Sequence, residues 1–240
     1  MDKDTNVQSD VKPTKKKIKP YKLQVKANKK GRHICVALNI LRLIVSPAVF
    51  LVKPFRFYGK RKRRDGACIY VGNHYKLTDI VYMGAQNWEA LHFVSKRENL
   101  EAKFIGFLAR AIKAIPVNRD GNDVRGLLDC FKCLKNGEKI AIYPEGTRNK
   151  TDEEMLPFKH GAAIMAIKTK TPVVPIVIYK RPRWFRMTHV LIGDEIDLSM
   201  YYDRKLTEEE MQAADDKIRQ TMLDMKAQHA QFLQSKKKRR

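Results

Sequence analysis

Alternation is the feature that most constrains the fold of this 240-residue chain. Short β-prone runs lie at Cys68–Val71, Leu91–Ser95, Ala114–Val117, Lys139–Tyr143, Val173–Tyr179 and His189–Ile192. Helical patterns fall between several of them, at Ile80–Trp88, Leu100–Ile112, Val124–Lys135 and Lys159–Lys168. Strands separated by helices must cross over and return in the same direction. The pattern therefore predicts a single α/β layered domain, with a largely parallel central sheet and flanking helices. No internal repeat is present. The C-terminal stretch opens with Thr207 and Glu210 at capping-box spacing, and apolar residues then recur every three or four positions from Met211 to Phe232. That is a helix packed on the domain.

Chemistry in an open α/β sheet collects at the carboxyl ends of strands. The run Ala67–Gly72 reads as a strand ending at a glycine, and Asn73-His74-Tyr75-Lys76-Leu77-Thr78-Asp79 follows it. Thr78 or Asp79 can cap the next helix. His74 then stands in the loop, five residues before Asp79, and a loop that folds back brings the carboxylate to an imidazole nitrogen. A carboxylate there fixes the tautomer and stabilises the imidazolium formed when the other nitrogen takes a proton, as a general base requires.

The charge balance asks for an anionic partner: 49 Lys+Arg against 26 Asp+Glu leave +23. Its distribution decides which. Ten Lys/Arg and no acid lie between Lys12 and Arg32, seven more between Lys53 and Arg64, and the chain ends Lys236-Lys237-Lys238-Arg239-Arg240. Between the first two groups runs Ile34–Val52, the most apolar stretch. Pro47 breaks it, and a helix from Ile34 to Ser46 would be about 20 Å long, against the roughly 30 Å hydrocarbon core of a bilayer. Asn39, Arg42 and Ser46 form one polar stripe on it. These features predict an N-terminal helical membrane anchor lying in the interface, with a second short segment after Pro47; a true span is the alternative. Basic residues crowded beside an apolar anchor, rather than interleaved with aromatics, point to anionic membrane lipids; no nucleic acid is expected. The predicted division is a basic tail over 1–33, the anchoring segment over 34–58, the α/β domain over 59–205, and a C-terminal helix with basic tail over 206–240. Cys130 and Cys133 share an apolar helix face with Leu127, Phe131 and Leu134, and Cys35 and Cys68 supply no second pair at zinc spacing. Core thiols are expected, with no metal, in a reducing cytoplasmic setting.

A second motif lies about seventy residues after the first. Tyr143-Pro144-Glu145-Gly146-Thr147-Arg148 is the end of a strand running into a tight polar turn. Together with Asn73-His74 and Asp79 it resembles the glycerolipid acyltransferase family, the 1-acylglycerol-3-phosphate acyltransferases and their relatives. Phe93–Leu100, Ile115–Asp120, Leu156–Ala163 and Val173–Val177 match further stretches of that family, so the resemblance covers about residues 55 to 195. One departure falls inside the first motif, where Lys76 and Thr78 stand in place of residues common in the family.

The resemblance implies transfer of an acyl group from acyl-CoA or acyl carrier protein to the 2-hydroxyl of lysophosphatidate, giving phosphatidate in phospholipid biosynthesis. His74, oriented by Asp79, would be the base. Arg119, Arg148 and Lys96 would hold the acceptor's phosphate, with Gly146 and Thr147 at the same turn. Glu145 would accept from a substrate hydroxyl or pair with Arg148. An oxyanion donor is expected near the Gly146 amide, and no cofactor is implied. No Gly-x-Ser-x-Gly elbow stands in the chain, so an acyl-serine is not expected. The expected location is the cytoplasmic face of the cell membrane, monotopic or peripheral. An acyltransferase for another lysolipid, or a catalytically silent basic membrane-binding protein, are the alternatives.

Overall fold

The computed structural model describes residues 22–29, 31–60, 64–86, 88–118 and 124–239. Seven strands form one sheet in the order β1-β7-β6-β2-β5-β3-β4. They are β1 (Phe55–Tyr58), β2 (Cys68–Gly72), β3 (Leu91–Lys96), β4 (Ile115–Val117), β5 (Lys139–Ile142), β6 (Val173–Ile178) and β7 (Thr188–Ile192). All neighbours run parallel except β6 and β7. The sheet is thus mostly parallel, with helices flanking it.

The central strands read as continuous apolar runs because both faces are covered. In β2, Ile69 and Val71 join one core while Cys68 and Tyr70 join the other. The first core lies beneath helices α5 (Val124–Lys135), α6 (Gly161–Thr169) and α7 (Glu208–Lys238); all four cysteines are buried and free. Helix α7 opens with the capping box expected at Thr207, Glu210 N–H donating to Thr207 and Thr207 N–H to Glu210. Its stripe Ala214, Ile218 and Met222 is fully buried. The second core carries α1 (Val36–Val52) and α2 (Asp79–Gly84).

Three expectations need correction. The helical anchoring segment placed over 34–58 ends at Val52, and Phe55–Tyr58 is a strand paired with β7. Two helices divided at Pro47 were expected, yet α1 continues through Pro47, which only forgoes one N–H. Its polar stripe faces inward: Arg42 is 7% exposed, donates to the carbonyls of Gly84 and Glu89 and to Asn39, and burial pulls its pKa down to about 10. The outward side is apolar, with Val36, Ile40, Leu43, Ile44 and Leu51 exposed. No described helix is long and apolar enough to cross a membrane.

The helix expected over 100–112 is two, α3 (Arg97–Glu101) and α4 (Lys103–Ala111), because Ala102 is extended. Gly106 packs so close to the Leu100 carbonyl that a Cβ would meet its oxygen at 2.2 Å, and Arg110 donates to the same carbonyl. The tail expected over 1–33 is described from Lys22, and there it is tied to the domain. Val25 N–H donates to Glu138, His33 contacts the Val25 carbonyl, and Ala90 N–H donates to the His33 carbonyl.

Candidate active site

The loops after β2 and β5 meet at the carboxyl ends of adjacent strands, and backbone donors hold them together. Asn73 is fully buried, and its side chain exchanges two hydrogen bonds with the Ile178 backbone at the end of β6. This pins the first residue of the β2 loop. Glu145, 3% exposed, accepts from His74 N–H at 2.8 Å and Leu156 N–H at 3.1 Å. Asn149 N–H donates to the His74 carbonyl at 2.6 Å. The backbone on both sides of the histidine is therefore fixed by the second motif.

Asp79 opens α2, and one of its oxygens, Oδ2, accepts from Tyr75 N–H at 2.6 Å and Lys76 N–H at 2.7 Å. The same oxygen lies 3.0 Å from His74 Nδ1. With the carboxylate accepting, Nδ1 carries the proton and Nε2 keeps its lone pair. Two backbone donors stabilise the anion and leave the imidazole little choice of orientation. The ring also stacks on Tyr143, centroids 4.2 Å apart and planes 17° from parallel. The His74 side chain is 15% exposed, so part of it opens to the surface.

Tyr143 is shared with an apolar cleft of about 490 Å³. Val94, Val117, Leu127, Ile142, Ile164 and Met165 line its body, while Gly146, Lys159 and His160 stand on its polar side. Gly146 has φ +68°, the left-handed region that favours glycine, and a Cβ there would press on Lys159 at 3.1 Å. Thr147 and Arg148 are exposed. Lys96 is half-buried and pairs with Glu98 at 3.3 Å. Arg119 lies outside the described residues.

Two expectations at this turn give way. Glu145 pairs with neither Arg148 nor open solvent, since both its oxygens accept from the backbone; burial raises its pKa despite those donors. The Gly146 N–H donates to the Tyr143 carbonyl at 3.0 Å, closing the turn rather than standing free for an oxyanion. Sequence reasoning also missed the Tyr143 stack, although the aromatic before Pro144 was its signal, and the part played by Asn149, which had none. His160 occupies the N-cap position of α6 without a side-chain capping bond, and pairs through Nδ1 with Asp215 at 2.9 Å. Asp215 is buried on α7, and desolvation raises its pKa to about 6.

Residues 54–179 match the family model described as Acyltransferase. The 1-acyl-sn-glycerol-3-phosphate acyltransferase of Helicobacter pylori is 28% identical over 184 residues, 64% of this chain and 76% of that one. The enzyme of that name from Bacillus subtilis is 31% identical over 57% of this chain and 66% of its own. A chloroplastic one from Brassica napus is 37% identical over 48% of this chain, but this match spans only 33% of that longer protein. The crystal structure of the 1-acyl-sn-glycerophosphate acyltransferase from Thermotoga maritima shares the fold, with a TM-score of 0.61 and 23% identity over 79% of this chain and 80% of that one.

Proposed function

This chain belongs to the acyltransferase family, and from that premise we propose that it transfers a fatty acyl group from a thioester to the 2-hydroxyl of 1-acylglycerol-3-phosphate, giving phosphatidate. The observation that carries the reading is the His74–Asp79 pair, held by backbone donors and stacked on the wall of an apolar cleft. His74 Nε2 takes the proton of the acceptor hydroxyl as its oxygen attacks the thioester carbonyl. The tetrahedral intermediate collapses, the C–S bond breaks, and the thiolate takes the proton back from the imidazolium. General-base help of this kind contributes about 10²–10⁴-fold, and positioning supplies much of the rest. The donor is acyl-CoA or acyl carrier protein, and no cofactor enters the steps.

The exposed Thr147 and Arg148 and the half-buried Lys96 bind the acceptor, Arg148 engaging its phosphate bidentately; Arg119, outside the described residues, keeps the phosphate role that the family resemblance implies. Glu145 acts on the reaction through the His74 backbone, as a positioning residue. The apolar cleft takes an acyl chain, because its lining offers little to a sugar or a base. The outward apolar stripe of α1 and the basic sequence at both ends support the reading of a monotopic or peripheral enzyme that works on an anionic membrane at its cytoplasmic face.

Thiol release tests the reading. Purified protein receives lysophosphatidate and a long-chain acyl-CoA in anionic vesicles, beside His74→Ala. Release by the natural chain, reduced at least about 10²-fold in the variant while vesicle binding persists, is expected. No release with either donor and with a panel of lysolipids would leave a silent membrane-binding protein instead.

A further inference from the structure

The segment between β6 and β7 is absorbed by none of this chemistry. From Lys180 to Thr188 it holds four cations and no acid, interrupted by Trp184, Phe185 and Met187. Those three apolar side chains are 60%, 74% and 47% exposed. Such large apolar groups cost solvation free energy where they stand, and three together form a patch rather than scattered exceptions.

Phe185 makes the case sharper. Its φ is +54°, a conformation that bulky L-residues rarely adopt and that glycine or asparagine would take at little cost. The turn therefore asks for a small residue, and the chain supplies a phenylalanine that is more exposed than any other among the described residues. A contact outside the described fold rationalises both the strain and the exposure.

The segment is also fastened to the end of α1. Phe185 N–H donates to the Val52 carbonyl at 2.8 Å and Thr188 N–H to the Pro54 carbonyl at 2.7 Å. The Lys53 ammonium lies 4.5 Å from the Trp184 ring centroid. Lys53 is only 6% exposed and makes no hydrogen bond or ion pair through its side chain among the described residues. Burial and the nearby Lys76 both lower its pKa, whereas Asp79 raises it, so this cation sits close to the His74 loop. Phe50 and Leu51 of α1 are exposed beside it and continue the helix's apolar stripe toward the segment.

We propose that Trp184, Phe185 and Met187 form a wedge that inserts into an anionic lipid bilayer, continuous with the α1 stripe, with the exposed Arg183 and Arg186 meeting the headgroups and the buried Lys53 backing Trp184. Aromatic rings ringed by cations suit the boundary between headgroups and acyl chains, where one end of each side chain is wet and the other dry. Charge complementarity selects an anionic surface: the segment offers only cations. This rests on the membrane reading above and adds the surface that would orient the His74 loop toward the bilayer.

The chain has two tryptophans, so Trp88→Phe leaves Trp184 as the sole reporter in the full-length protein. Mixed phosphatidylglycerol and phosphatidylcholine vesicles should shift its emission to shorter wavelength, and lipids brominated in their acyl chains should quench it. Phe185→Ser with Met187→Ser should weaken vesicle partitioning about tenfold or more, while thiol release from water-soluble short-chain substrates stays within about twofold. Phe185→Gly gives opposite signs, raising the thermal midpoint but weakening partitioning; a lower midpoint would mark Phe185 as a packing residue and overturn the wedge. Vesicles that sediment the protein without moving or quenching Trp184 would also overturn it, placing the bilayer elsewhere. A shift that follows protein concentration without lipid would replace the bilayer with a second copy. Absence of vesicle binding would remove the wedge and the membrane reading together. Quenching that persists without any thiol release would leave the wedge standing and sink only the proposed activity.

Discussion

Two imidazole–aspartate pairs lie by the apolar cleft, the first meeting it through Tyr143 and the second through His160, and they are built on opposite principles. In the first, Asp79 is five residues from His74 and gathers two backbone N–H groups from the loop between them on Oδ2, the oxygen that meets the imidazole, while its buried Oδ1 has no partner among the described residues. In the second, Asp215 reaches His160 from α7, fifty-five residues away, and its other oxygen has only the Ala163 N–H at 3.4 Å. There burial wins and the carboxyl is pushed up to about 6. A carboxylate held by short backbone geometry orients a base, whereas one carried on a long helix fastens that helix to its neighbour. Proximity of His and Asp alone does not distinguish the two.

The largest expected effect comes from exchanging the carboxylate in the first pair. Asp79→Asn removes the charge that stabilises the imidazolium and leaves only a neutral amide oxygen to accept from the three groups gathered on Oδ2. Thiol release should fall about 10²–10⁴-fold. His160→Ala, measured in the same assay, should cost no more than about tenfold. If His160→Ala proves the more damaging of the two, the pairs have been assigned the wrong way round.

Much of this contrast was legible in the residues, and the missing parts have physical reasons. The strand before His74 and the turn after Tyr143 are short and local, so apolar runs and turn residues reveal them. Phe55–Tyr58 was hidden because its partner is β7, more than 130 positions later, and its arginine looked like the flank of an anchor. The Asn39–Arg42–Ser46 stripe was visible, but not its direction: periodicity shows that a face exists, while the carbonyls of Gly84 and Glu89 decide that Arg42 turns inward. The role of Glu145 was misread for a similar reason, since its partners are backbone amides, and sequence carries no mark of an amide left for a side chain. The wedge at Trp184 went unread because exposure and a positive φ appear only in three dimensions.

A pH titration of stability sharpens the comparison further. The Asp215 carboxyl binds its proton below about 6 in the fold and below 3.8 when unperturbed. Between those values the folded state holds more protons, so the stability associated with this group is present at pH 4 and lost as pH rises through 6. A shift of about two pH units is worth about 3 kcal/mol. Asp215→Asn should flatten that fall, gaining about 1–3 kcal/mol at pH 7 and nearly nothing at pH 4, as read by denaturant unfolding. Unchanged pH dependence in the variant would mean that burial does not raise the Asp215 carboxyl, and the contrast between the pairs would collapse.

The smallest effect tests the wall that the first pair leans on. Tyr143 stacks on His74, yet its hydroxyl is buried without a hydrogen-bond partner among the described residues, and burial holds its pKa well above the usual phenol range. Tyr143→Phe keeps the ring and removes the unpaired group. Because an unsatisfied buried hydroxyl carries a desolvation cost of about 1–3 kcal/mol, the variant should be as stable as the natural chain or more so by about 1 kcal/mol. Thiol release should stay within about threefold if the tyrosine serves only as a stacking surface. A loss of tenfold or more at undiminished stability would give the hydroxyl a partner that appears only when substrate is bound. The first pair would then extend from two residues to three, and the difference from His160 and Asp215 would widen.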